Sequence, residues 1–487
     1  MRRPIAPLAI GCALALVACI SGSSGPAETS RSPAPTSPAA VSPGAASRDA
    51  PNILFIVTDD QRIGSLSVMP NTERLFRQHG VTYVNGFVVT PLCCPSRASI
   101  LTGRYPHNAA VFNNHEALRL DQSTTVIRSL HAAGYLTAIA GKFLNNWPLD
   151  RDPPNFDRWA IFDTGYTSSE FNVDGDRREV KRYSTTFLGD EAVSFLRAFE
   201  RHDSTPWFMY FATFAPHDPW EPDPRYADAP VPALVRSPAM RERDRSDKPP
   251  WVTGAPTVPR RRILSNRADQ LRTLMSVDDQ VGRIFATLRR LGEQRSTLAV
   301  FMSDNGWLWG EHGLAGDRGD SESGKAAITG KRYPYTESIR VPLMARWPGH
   351  IEPGTVDHRI VANVDLTPTW LEAAGVPPDL TVPLDGRSLL QSSGRVRLFL
   401  EYRRDRSYPL VRSWASIRTR RLHYIEWLSD SGRVVFREYY DLRSDPAELD
   451  NLLGDGSHSN DPDVRPLHAE IRRDMRCRGT SGPAACP

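Results

Sequence analysis

The chain has 487 residues, 40% of them hydrophobic and 24% charged, with a formal net charge of +4. Such a length and composition suit a soluble globular protein with one large domain or two unequal ones. The near balance of charge excludes the strong electrostatic footprint of a nucleic-acid-binding chain.

The N-terminus reads as targeting rather than as fold. Arg2 and Arg3 precede an apolar stretch, 5–18, too short to span a bilayer as a mature helix. Leu16-Val17-Ala18-Cys19 resembles a bacterial lipobox, which makes 1–18 a lipoprotein signal peptide and Cys19 the acylated first residue. The other reading is an ordinary secretory peptide cleaved nearby. Both export the protein. Residues 19–50, rich in Ser, Pro and Ala, cannot bury a core and read as a flexible tether.

From residue 51 the pattern is that of a folded domain. Four short apolar runs, 52–58, 135–140, 207–213 and 297–303, have the continuous hydrophobicity of strands buried on both faces. Amphipathic stretches at 123–133, 186–199 and 271–291 alternate with them. Alternating strands and helices predict an α/β fold with a mostly parallel central sheet flanked by helices. In such sheets ligands bind beyond the C-terminal strand ends. Polar residues gather at those ends: Asp59 and Asp60, Lys142, His217, and Asp304 with Asn305. Asp278 and Asp279, by contrast, lie within an amphipathic helix and are assigned to its surface.

Residues 224–265 are rich in Pro and Arg and lack periodicity, so they are either a cover over a substrate groove or a plain surface loop. Beyond about residue 390 the runs 396–402, 414–419, 422–427 and 434–440 predict short antiparallel strands. The catalytic domain is therefore placed at 51–390 and a C-terminal subdomain with its tail at 391–487. Of six cysteines, Cys477 and Cys486 sit together in that tail. In an oxidising compartment they form a small disulfide loop; otherwise they are two free thiols.

The remaining pair is the most specific signal. Cys93-Cys94-Pro95-Ser96-Arg97 runs on to Leu101-Thr102-Gly103-Arg104. Proline disfavours helical geometry in the residue before it, so Cys94 is expected to be extended or in a turn, with a helix starting at Ser96. Cys93 then stands at a helix N-terminus, where amide N–H groups favour an anion. Lysine is scarce: Lys142, Lys181, Lys248, Lys325 and Lys331 are the only five.

Cys93-x-Pro95-Ser96-Arg97 with Thr102-Gly103 resembles the signature of the formylglycine-dependent sulfatases, and 92–114 most resembles the N-acetylglucosamine-6-sulfatase branch. The resemblance implies an alkaline-phosphatase-like fold and a Cys93 oxidised to C-formylglycine by a formylglycine-generating enzyme. One hydroxyl of the hydrated aldehyde attacks sulfur, and the second allows collapse to the aldehyde with release of sulfate. It also implies that Asp59, Asp60, Asp304 and Asn305, with an oxygen on modified Cys93, bind a divalent cation. An all-oxygen set suits Ca²⁺, with Mg²⁺ the alternative. Arg97 would support the metal end, Lys142 and Lys331 would bind sulfate, and His217 would contact sulfate and protonate the leaving oxygen.

Asn113, Asn114 and His312 are candidate pocket residues. Leu144 stands where many sulfatases carry a histidine, so the base for diol collapse is left open; His107 and His115 are candidate contributors, or else structural histidines. The segment 315–328 looks inserted and offers Lys325 as a rival to Lys331, which is preferred because 331–342 matches the family downstream. Tyr440-Asp441-Leu442, Asp445-Pro446, Glu448 and Asn451-Leu452 resemble the family's closing segment and are read as packing. The reading is a cation-dependent sulfuric ester hydrolase acting on sulfated sugars, exported as a bacterial cell-surface lipoprotein or secreted, touching membrane only through a lipid anchor. Its rivals are a phosphodiesterase or phosphonate monoester hydrolase of the same superfamily, and a catalytically silent surface lipoprotein that binds sulfated glycans.

Overall fold

β1 (Asn52–Thr58) is buried at every position, as its unbroken apolar run predicts. In the computed structural model, which describes residues 50–202, 204–316, 329–392 and 394–487, this strand lies inside a ten-stranded sheet. The signal segment, Cys19, the tether up to residue 49 and Lys325 lie outside the described residues.

The other strands of this sheet are β2 (Val81–Phe87), β3 (Leu136–Lys142), β4 (Arg158–Phe162), β5 (Ser169–Val173), β6 (Asp176–Val180), β7 (Trp207–Ala212), β8 (Thr297–Ser303), β9 (Leu343–Arg346) and β10 (Thr355–Ala362). Their order is β10-β2-β9-β8-β1-β7-β3-β4-β5-β6. The middle is parallel: β1 pairs with β8 on one side and β7 on the other, and β7 pairs with β3. All four apolar runs of the sequence fall in this block, so their C-terminal ends share one edge. Antiparallel β9 divides β8 from β2, and β5 and β6 add an antiparallel margin.

Helices cover both faces, which is why the central strands carry no polar alternation. On one face Trp370, from the helix Leu366–Ala374, packs against Phe55 and Phe208, with ring centroids 4.9 and 5.4 Å away. On the other, the helices Ser184–Phe199 and Arg260–Leu291 bury Leu188, Phe195, Leu274 and Val281 against β1, β3, β7 and β8.

The long helix begins at Arg260, inside the segment read as irregular. It also corrects the reading of Asp278: that carboxylate is buried and accepts from the backbone N–H groups of Asn71 (2.9 Å) and Thr72 (2.7 Å), tying the long helix to the start of the helical segment that opens with Pro70–Thr72. Asp279 stays half exposed, paired with Arg225 and Tyr226.

Beyond the main sheet, β11 (Arg397–Tyr402), β12 (Ser413–Thr419), β13 (Leu422–Leu428) and β14 (Val434–Asp441) form a separate antiparallel sheet in sequential order. The irregular part of 224–265 braces this sheet to the main body. Lys248 reaches Glu242 and the Leu449 carbonyl, and Asp247 receives the Asn451 backbone N–H. Cys477 and Cys486 are joined in a disulfide. No described helix is long and apolar enough to cross a membrane.

Candidate active site

The C-terminal ends of β1, β3 and β8, with the turn after β7, surround the N-terminus of the helix Cys93–Thr102. That helix starts three residues earlier than Pro95 suggested. Leu92 is the extended N-cap, with φ −150° and ψ 132°, so Cys93, Cys94 and Pro95 form the first turn. Proline is tolerated there because an N–H at that position has no intrahelical acceptor. Cys94 is therefore helical and buried, with its N–H on the Asn114 side-chain oxygen.

Cys93 is also fully buried. Its Sγ lies 3.3 Å from Asp59 Oδ1 and 3.0 Å from Lys331 Nζ. Burial pushes this thiol well above its ordinary range; Asp59 adds to the effect, and the Lys331 and Lys142 ammonium groups oppose it. Burial acts in the same direction on Asp59, but Lys142, His217, Arg97 and Lys331 outweigh it and hold that carboxyl well below the usual carboxylate range.

Lys142 and Lys331, the two lysines expected to bind sulfate, are anchored by carboxylates. Lys142 Nζ stands 2.5 Å from Asp59 Oδ2, and Lys331 Nζ reaches Asp60 Oδ1 at 2.7 Å and Oδ2 at 2.8 Å. Placing Lys142 requires Gly141, whose φ is +133° and where a Cβ would sit 1.7 Å from the Ala212 carbonyl oxygen. Only glycine lets β3 approach β7 this closely. Arg97 spans the centre, donating from Nε to Asp304 Oδ2 (2.8 Å) and from Nη1 to the Lys142 carbonyl (2.6 Å), with Nη2 3.4 Å from Asp59.

His217 Nε2 is 3.5 Å from Asp60 Oδ2, and Nδ1 is 2.7 Å from the Asp218 carbonyl oxygen. A carbonyl only accepts, so Nδ1 carries a proton and Nε2 faces the site. Asp60 itself has φ 66°, a left-handed conformation uncommon for a side-chain-bearing residue, with its N–H bonded to Asp304 Oδ1.

These groups fit a hard cation. Asp59, Asp60 and Asp304 supply buried carboxylates. Asn305 donates through Nδ2 to Asp60 (2.6 Å), while its Oδ1 is buried and has no hydrogen-bond partner among the described residues. An orphaned amide oxygen beside three carboxylates is the acceptor-rich arrangement that Ca²⁺ or Mg²⁺ uses. Ligand-type atoms of Asp59, Asp60, Cys93 and His217 all lie within 4.8 Å of one another.

The partners of these carboxylates reach a cavity of about 450 Å³, lined in part by Lys142, His217 and Lys331. Asn114 and His115 also line it. Asn113 does not; its side-chain oxygen accepts from the His115 N–H. His312 is fully buried against Glu242 (2.8 Å), and His107 is paired with Glu401 (2.6 Å) at a different cavity, so neither reaches this one. Nor does any residue of 224–265 line it.

Sequence reasoning missed Trp307, Arg332, Asp405 and Tyr408, which wall the cavity. Arg332 stacks its guanidinium 3.4 Å from the Tyr408 ring centroid. Asp405 and Tyr408 come from the β11–β12 loop, and nothing local in sequence ties that loop to the Cys93 helix.

Residues 51–376 match the family described as Sulfatase, and 324–475 match the C-terminal region of N-sulphoglucosamine sulphohydrolase. An extracellular sulfatase SULF-1 homolog of Drosophila melanogaster is 34% identical over 367 residues, covering 71% of this chain; the chain spans only 31% of that relative's length. An N-acetylglucosamine-6-O-sulfatase of Bacteroides thetaiotaomicron is 29% identical over 498 residues, covering 84% of each chain. A solved protein in complex with its substrate D-glucosamine-2-N,6-O-disulfate superposes with a TM-score of 0.68 at 27% identity, covering 88% of this chain and 97% of that one.

Proposed function

The chain belongs to the sulfatase family, with its alkaline-phosphatase-like fold, and on that premise we propose that it is an exported sulfuric ester hydrolase acting on sulfated sugars, with a 6-O-sulfated glucosamine as substrate. The observation that carries this reading is the convergence of Lys142, His217 and Lys331 on one cavity, with the Lys331 ammonium also 3.0 Å from the Cys93 sulfur. The relatives support the sugar: one acts on N-acetylglucosamine 6-O-sulfate by name, and another binds a glucosamine 2-N,6-O-disulfate.

Each residue has a role that its surroundings support. Cys93 is the site of oxidation by a formylglycine-generating enzyme, and the hydrated aldehyde supplies a nucleophilic hydroxyl. Asp59, Asp60, Asp304 and Asn305 hold a calcium or magnesium ion, which would supply positive charge beside the sulfate. Arg97 positions this end of the site through Asp304 and Asp59. Lys142 and Lys331 bind sulfate oxygens, where a compact ammonium offers several donors at once. His217, its Nδ1 tied back to the Asp218 carbonyl, presents Nε2 to the substrate and gives the leaving oxygen its proton. Asn114 lines the sugar side. Export follows the N-terminal pattern and the extracellular relative, with Cys19 as lipid anchor.

Two measurements test the proposal. The proteolytic peptide spanning Cys93, from protein made in the native host, should be lighter than the encoded mass by about 18 Da, since this conversion is not a step of ordinary thiol oxidation. The same protein should hydrolyse N-acetylglucosamine 6-sulfate and an aryl sulfate faster than an aryl phosphodiester. An unmodified Cys93 with no turnover makes the protein a glycan binder. A preference for the phosphodiester moves it to the phosphoryl branch of the superfamily.

A further inference from the structure

A second cavity, of about 600 Å³, adjoins the first, and the two share their dividing wall. Two chain segments build that wall. From one, Phe112 lines the second cavity while Asn114 and His115 line the first. From the other, the β11–β12 loop, side chains split by position: Arg403, Arg404 and Arg406 line the second cavity, and Asp405, Ser407 and Tyr408 the first. The two segments meet where the Arg403 guanidinium stacks 3.9 Å from the Phe112 ring centroid. Neighbouring residues of 403–408 thus face the two cavities in turn, which puts the cavities on either side of one loop.

The second cavity is built for anions. Arg404 pairs with Asp430 at 3.1 Å, but its Nε is buried without a partner among the described residues. Arg403 and Arg406 are exposed, and neither forms an ion pair with a described carboxylate. His107 Nδ1 faces Glu401 and Nε2 faces the Cys477 carbonyl (3.1 Å), so both ring nitrogens meet acceptors and the ring sits as a cation. The cations Arg403, Arg404, Arg406 and His107 thus outnumber the carboxylates Glu401 and Asp430. Arginine forks suit sulfate and carboxylate groups, and stacking on an aromatic ring preorients one of them. The cavity is of ligand size, within the ~300–1,000 Å³ of small-molecule sites.

We propose that this second cavity is a subsite for an anionic substituent, sulfate or carboxylate, on a sugar adjoining the one whose ester is cleaved. The inference rests on the sulfatase reading of the first cavity. It makes the physiological substrate a polyanionic oligosaccharide rather than a monosaccharide.

The double variant Arg403→Ala/Arg406→Ala tests this, since both side chains are exposed. The probe is a sulfated tetrasaccharide ending in 6-sulfated glucosamine, compared with the matching monosaccharide. The ratio of kcat/KM for tetrasaccharide over monosaccharide should fall at least about tenfold in the variant, as expected on losing two charge-assisted contacts. The tetrasaccharide Kd, which needs no turnover, should rise by about the same factor. A second double variant, Arg197→Ala/Arg201→Ala, controls for non-specific charge. Equal Kd values in wild type and the Arg403/Arg406 variant, or equal losses in both double variants, overturn the subsite. A normal, variant-sensitive Kd without sulfate release supports the subsite and overturns the sulfatase reading instead.

Discussion

Lys331 donates to both carboxylate oxygens of Asp60, 271 residues away in the chain, while its ammonium stands 3.0 Å from the Cys93 sulfur. One ammonium therefore links a buried carboxylate to the cysteine proposed as the nucleophile's precursor. Removing it should cost transition-state stabilisation rather than folding. Lys331→Ala is expected to lower kcat/KM on an aryl sulfate by about 10²–10³-fold, the usual effect of deleting one preorganised charge donor. Lys331→Arg should recover little, because a planar fork cannot place its donors around one point. Lys325→Ala should change little; a larger loss there than at Lys331 would transfer the sulfate role to Lys325.

The orphaned Oδ1 of Asn305 gives the cation its own test. Removing divalent ions with a chelator should lower the melting temperature, and Ca²⁺ should restore it. At a free ion concentration about 100 times Kd the stabilisation is roughly 2.7 kcal/mol. Asn305→Leu removes the orphaned oxygen and should abolish the calcium-dependent part of this shift. A calcium response equal to that of wild type would remove Asn305 from the ligand set.

Much of this site is legible in the chain because the strands that carry it are buried on both faces. β1 and β8 are continuous apolar runs, so the polar residues at their ends, Asp59-Asp60 and Asp304-Asn305, stand out against them. Lys142 is visible for the same reason at the end of β3. The remainder depends on tertiary placement. Asp405 and Tyr408 reach the cavity only because the second sheet folds over it. Local rules also misled at two points. The restriction imposed by Pro95 gave way to a first helical turn that needs no proline N–H. Asp278, at an apparently solvent-facing position of an amphipathic helix, is buried because the N-terminus of the helix Pro70–Thr72 offers it the backbone donors of Asn71 and Thr72.

The Cys477–Cys486 disulfide closes a short loop, with a sequence separation of 9. Loop-closure entropy for so small a ring amounts to about 2–3 kcal/mol. The variant Cys477→Ser/Cys486→Ser should lose about that much stability in denaturant unfolding, with kcat on an aryl sulfate unchanged. A matching fall in kcat would mean that the tail also orders the catalytic cavity.

The Cys477 carbonyl of this tail also meets a titrating pair, His107 and Glu401. Burial lowers the affinity of His107 for its second proton, but Glu401 at 2.6 Å and the Cys477 carbonyl at 3.1 Å outweigh it, and the pKa rises to about 9. A histidine whose folded pKa lies above its unfolded value binds its proton more tightly in the native state. Its stabilisation is therefore complete below about pH 6.5 and is lost as the pH rises through about 9. The size is on the order of 3 kcal/mol. Denaturant unfolding at about pH 6 and about pH 9.5, in wild type and in Glu401→Gln, isolates this contribution. Wild type should lose more stability than the variant over that interval, because glutamine keeps an acceptor for Nδ1 but removes the charge that holds the second proton. Equal losses would place the alkaline sensitivity in some other group.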